Sequence, residues 1–152
     1  MRWIRFSTPA AMLRPFWPWA LSTVRPMLGL ARLALAAQDR PRAAQWVDRA
    51  LQWAPADPEA LLAALVIARW RHGEPGVQYW VKQHRLRHGD LPELHRALGD
   101  EALVRGRLNE AVRAWRRSQR RVNDSHVALQ LAQASVARGE IDEARRAIAV
   151  PA

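Results

Sequence analysis

No cysteine occurs anywhere in the 152 residues, so disulfide frameworks, thiolate nucleophiles and sulfur-based zinc sites are all excluded. Lysine is nearly as scarce: Lys82 is the single example among 24 basic residues. Positive charge written almost wholly in arginine is the usage of a GC-rich, bacterial type of genome as much as a choice of guanidinium chemistry. Acids are also in the minority, 14 against 24, and the resulting formal charge of +10 keeps nucleic acid, anionic lipid and acidic protein in view as partners. Strand signals are missing throughout. No uninterrupted apolar run approaches the ~18 residues of a membrane-crossing helix.

Catalytic patterns are lacking as well. Ser7, Ser22, Ser118, Ser125 and Ser135 have no G-x-S-x-G context, no glycine-rich phosphate loop exists, and the acids are scattered over helical stretches. His84 and His88 stand at i, i+4, with Asp90, Glu93 and His95 close by, a spacing that can bind a divalent metal. No HExxH pattern or third fixed ligand accompanies them, and Arg85 and Arg87 share their turn, so they read as solvated or packing histidines. The expectation is a non-enzymatic chain with no cofactor and no metal.

What is present is a repeat. Ala43, Val77, Ala111 and Ala144 step along the chain by 34, 34 and 33 residues, and Val47, Val81, Trp115 and Ile148 follow with the same steps. A third column, Ala34, Ala68, Ala102 and Ser135, is uniformly small, and Leu30, Ala64, Leu98 and Leu131 run four residues ahead of it. Each unit reads as two helices joined by a tight turn. In the third, apolar residues at Leu94, Ala97, Leu98, Ala102 and Leu103, then at Leu108, Ala111, Val112 and Trp115, show helical spacing twice over. Gly106 separates these runs, Gly139 is expected to do so in the fourth unit, and Gly73 nearly does in the second. In the first unit Gln38-Asp39-Arg40-Pro41 takes that place, with Pro41 suited to open a helix.

These columns resemble tetratricopeptide repeats, units of about 34 residues that place small residues where paired helices cross and a large residue later in the second helix. Leu98-Gly99, Ala102, Gly106, Ala111 and Trp115 match best. The first unit matches through Ala43, Val47, Ala50 and Pro55, and the fourth through Leu131-Ala132, Gly139, Ala144 and Ile148. The second is degenerate, with Leu65 in the glycine column and His84 in the later alanine column. The resemblance covers roughly Val24 to Val150. It implies an all-α fold, a right-handed α-solenoid of about 3.5 antiparallel helix pairs. It also implies a protein-binding adaptor or scaffold whose concave groove is lined by Arg32, Leu35, Val66, Arg69, Trp70, Arg96, Asp100 and Leu103. That mixture of apolar and basic side chains suits an apolar or acidic segment of a partner protein.

A second face offers a rival. Arg113, Arg116, Arg117, Arg120 and Arg121 fall at i, i+3, i+4, i+7 and i+8, one helix face, and from Arg105 to Arg121 seven arginines meet a single acid, Glu110. This basic patch is either a solvated face or a surface for anionic lipid or nucleic acid. No aromatic residue interleaves it, which disfavours single-stranded nucleic acid. Among the tryptophans, Trp80 and Trp115 read as packing residues, and Trp70 stands between packing and partner binding.

The chain divides into a basic, Trp- and Pro-rich extension over residues 1–25 and a repeat domain over residues 26–152. The extension holds four arginines, no acid, and Trp3, Phe6, Phe16, Trp17 and Trp19. Its prolines at positions 9, 15 and 18 argue against one regular helix, and Arg14 splits its apolar run. It suits either a cap over the first repeat or peripheral contact with a membrane interface, the protein otherwise being cytoplasmic. At the other end, the second helix of the fourth unit is expected near Ile141 with no capping helix after it. Val127, Leu131, Ile141 and Ile148 then form an under-covered face through which copies of the C-terminal repeat self-associate.

Overall fold

The computed structural model describes residues 18–149, with side chains described at 24–142 and at Arg145 and Arg146. The remainder of the extension, including Trp3, Phe6, Phe16 and Trp17, lies outside the described residues. Six helices and no strand occur among those described: α1 (Pro18–Ala36), α2 (Arg40–Trp53), α3 (Pro58–His88), α4 (Pro92–Val104), α5 (Leu108–Gln119) and α6 (Ser125–Ala149). Contacts run mainly between chain neighbours, each helix packing on the next.

The helix boundaries follow from local chemistry. Pro18, Pro41, Pro58 and Pro92 stand at or next to the start of α1, α2, α3 and α4, where a missing N–H costs nothing. Asp39 caps α2 by accepting from the Arg42 amide at 3.2 Å, and Asp57 caps α3 by accepting from the Ala60 amide at 3.0 Å. α1 continues through Arg25 and Pro26 without a break.

Two of the turns are equivalent. After α4, Gly106 takes φ +76°, the Arg107 amide donates to the Ala102 carbonyl at 2.8 Å, and the Gly106 amide donates to Leu103 at 2.9 Å. After α1, Gln38 takes φ +63°, the Asp39 amide donates to Ala34 at 2.8 Å, and the Gln38 amide donates to Leu35 at 3.0 Å. The two residues stand two 34-residue steps apart and end their helices in the same left-handed way. In the second unit the break falls inside α3, where Gly73 is non-helical at φ 65° and ψ −154° and Pro75 follows. A Cβ on Gly76 would lie 2.9 Å from the Ala68 carbonyl oxygen, so the glycine lets the two halves of α3 approach at the bend.

The expected break at Gly139 does not occur. α6 runs from Ser125 through Gly139 to Ala149, so the second helix expected near Ile141 is a continuation of the first. Glycine in a helix costs only about 1 kcal/mol relative to alanine and does not by itself end one. The turn after Gly106 is held by a second helix that buries Ala111, Val112 and Trp115. Beyond Gly139 no described side chain is buried, so among the described residues no second apolar face draws the chain back.

The repeat columns are core where they can be read. Ala43, Val77 and Ala111 are buried, as are Val47, Val81 and Trp115; the side chains of Ala144 and Ile148 lie outside the described residues. The third column holds at Ala34 and Ala102, loosens at Ala68, and fails at Ser135, whose exposed hydroxyl donates to the Leu131 carbonyl at 2.9 Å. Two apolar clusters result, one from Val24 through Ala97 and one joining Ala102, Ala111, Val112, Trp115, Val127 and Ala134. Val127 is fully buried, so it does not belong to an under-covered end face; Leu131 is partly buried against the second cluster, and Ile141 is exposed.

Candidate partner-binding surfaces

The residues expected in the groove sit on α1, the first half of α3, and α4, and ion pairs tie these helices to one another. Arg32 pairs with Glu59, which also receives Arg25. Arg69 donates to Glu101 through Nε at 2.6 Å and to Glu74 through Nη1 at 2.7 Å. Arg96 donates to Asp124 at 3.0 Å, and Asp100 accepts from Trp115 Nε1 at 3.0 Å and from His126 Nε2 at 3.2 Å. Each of the three groove arginines therefore meets an acid on another element or beyond its own turn, and the face is less basic than its composition implies.

Glu101 is the centre of this network and is 2% exposed. Besides Arg69 it accepts from Arg105 Nε at 2.9 Å, and Arg105 reaches on to Glu110 at 3.2 Å. A carboxylate buried this deeply is tolerated because guanidinium donors surround it. Burial alone would lower the pKa of Arg69, but its bonds to Glu101 and Glu74 outweigh that and hold it above its ordinary value. The same bond from Arg69 holds Glu74 below its ordinary value.

Apolar side chains are exposed on these helices and on α6. Trp70 is 50% exposed with the Arg40 guanidinium 5.2 Å over its ring, and Val104, one 34-residue step further, is 75% exposed. Leu103 at 40% and Val136 at 62% are likewise about one repeat apart, and Leu35 and Val66 are half-buried.

Arg113, Arg116 and Arg117 are exposed on α5, but the helix ends at Gln119, so Arg120 and Arg121, also exposed, follow in the turn beyond it and do not continue the one helix face expected from their spacing. Arg121 donates to the Asp90 carbonyl oxygen and stands 4.0 Å from its carboxylate. The other four have no acidic partner among the described residues.

Sequence reasoning missed a cavity of about 1100 Å3 between α2 and the second half of α3, walled by Trp53, Tyr79, Trp80, His84 and Arg87. His84 is not solvated: it is 6% exposed, stacks on Trp80 with centroids 5.1 Å apart, and donates from Nε2 to the Pro55 carbonyl at 3.0 Å. Desolvation pushes its pKa below the ordinary value, and Nδ1 is buried without a hydrogen-bond partner. The column position offered a signal, because His84 stands one 34-residue step from Ala50 and from Ser118, and both are buried. His84 and His88 are in ring contact at 4.8 Å, and no group of three or more His, Asp or Glu suited to a metal ion exists among the described residues.

No known family model matches the chain, and no curated protein matches its sequence. No described helix is long and apolar enough to cross a membrane. Among the described residues the fold is all-helical, a class that by itself fixes no function.

Proposed function

We propose that the chain is a tetratricopeptide-like adaptor, about three and a half helix pairs stacked as a right-handed solenoid, whose first helices form a groove for an apolar segment of another protein. The observation that supports this reading is the placement of Trp70 and Val104, exposed one repeat apart, with Leu103 and Val136 offset in the same way. A soluble fold normally buries such side chains, and a row of them at fixed spacing matches a partner laid across successive repeats. The acids that neutralise Arg32, Arg69 and Arg96 favour an apolar occupant over an acidic one. The test replaces Trp70 with Ala and Val104 with Ser, and compares it with Tyr79→Ala plus Leu86→Ser, a pair exposed on the second half of α3. Partner capture from the native host is lost only in the first variant, at unchanged helicity; equal capture by both would end the reading.

A second reading rests on Arg113, Arg116, Arg117 and Arg120, which lack acidic partners among the described residues. They form an anionic-surface binder of broad specificity. Such binding weakens by orders of magnitude between low and moderate salt, whereas apolar docking weakens little.

A further inference from the structure

The C-terminal end of α5 lies beside the end of α3 and the turn into α4. There Arg85, Asp90, His95, Arg117, Arg120 and Arg121 line a concavity of about 480 Å3. Four guanidiniums thus face one carboxylate. That carboxylate is already occupied: Asp90 accepts from Arg85 Nε at 3.0 Å and from His95 Nε2 at 2.9 Å, with Arg121 next to it. Asp90 is bound to its neighbours and holds Arg85 and Arg121 at the rim, while Arg117 and Arg120 have no acidic partner among the described residues. His95, 5% exposed, anchors the arrangement from below.

We propose that this pocket binds the phosphoryl group of a small phosphate ester or of pyrophosphate, gripped by Arg117 and Arg120, with Asp90 positioning Arg85 and Arg121. A planar guanidinium donates two parallel N–H bonds, and a phosphoryl group offers three peripheral oxygens and nearly two negative charges to a cluster of this kind. A carboxylate ligand offers two oxygens in one plane and a single charge. The volume falls in the range of small-molecule sites, so there is room for the organic part of an ester beside the phosphoryl group. The proposal shares its arginines with the second reading above but differs from it in kind: it requires one saturable site.

Arg113 and Arg116 provide the control, since they lie on α5 with Arg117 but outside the pocket. Titration calorimetry of the full chain with pyrophosphate, at ionic strength fixed with sodium chloride, gives saturable one-to-one binding. Arg117→Ala with Arg120→Ala weakens it about tenfold or more, as expected for loss of charge-assisted bonds. Arg113→Ala with Arg116→Ala removes the same charge and changes it by less than about threefold. Equal losses in the two double variants would overturn the pocket and leave only a diffuse basic surface; no saturable heat with the unaltered chain would overturn it outright. Phosphatidylcholine vesicles with and without phosphatidic acid separate the two sources of the phosphoryl group. Recruitment to the acidic vesicles that pyrophosphate reverses assigns it to a lipid headgroup, and pyrophosphate binding without recruitment assigns it to a soluble ester.

Discussion

Trp115 occupies the space that a side chain on Gly99 would need: a Cβ built on Gly99 would overlap the Trp115 indole, which is fully buried between α4 and α5. The indole N–H donates to Asp100, the neighbour of that glycine, so one turn of α4 both accommodates and orients the ring. Gly99→Ala should therefore destabilise the chain by about 1–3 kcal/mol through overpacking, although in an exposed helix the same change stabilises by up to about 1 kcal/mol. Combining it with Trp115→Leu should give far less than the sum of the two losses. Urea denaturation of the single and double variants measures this, and strict additivity would remove the contact from the account.

Gln38 holds a left-handed conformation that its repeat-mate Gly106 adopts without a Cβ penalty. Gln38→Gly should stabilise the fold by about 0.5–1 kcal/mol, and Gly106→Ala should destabilise it by about 1 kcal/mol. Opposite shifts in thermal midpoint are the expected outcome.

Glu101 is buried between Arg69 and Arg105. Glu101→Ala should cost about 2–4 kcal/mol, because it leaves two partly buried guanidiniums without their shared acceptor. Glu110→Ala, which removes only the half-exposed end of the same network, should cost under about 1 kcal/mol. Comparable losses would mean that burial of Glu101 does not govern its contribution.

His84 makes stability depend on pH. Its folded-state pKa lies below the ordinary 6.5 because burial disfavours the charged ring. The unfolded chain thus takes up the proton first. Stability is fully present above about 6.5 and falls as the pH drops from there toward the lower folded value. His84→Gln, which keeps a donor for the Pro55 carbonyl, should flatten that slope. Thermal midpoints of both proteins between pH 7.5 and 5, roughly the range over which histidine titrates, check the difference; parallel curves would contradict it.

Much of this was legible in the sequence, and the reasons differ by element. The columns through Ala43, Val47, Ala111 and Trp115 report on a periodic core, which is a local property of spacing. Gly106 and Pro41 mark turns through the backbone conformations those residues favour, and in both places a following helix with its own buried face completes the turn. The pairing of Arg69 with Glu101 and of Arg96 with Asp124 was not legible, because it joins residues 32 and 28 positions apart on different elements, Asp124 standing in the turn before α6. Gly139 misled for a related reason: whether a glycine ends a helix depends on what lies beyond it to be buried. The cavity beside His84 required knowing how α2 and the bent α3 face each other.

The central claim is that partners dock on the exposed apolar row along the first helices. A photo-reactive phenylalanine analogue placed in turn at positions 70, 104, 79 and 86 tests it directly in the native host. The account predicts adducts with one partner from positions 70 and 104, and none from positions 79 and 86. Adducts from positions 79 or 86 without any from 70 and 104 would contradict it and move the docking surface to the second half of α3.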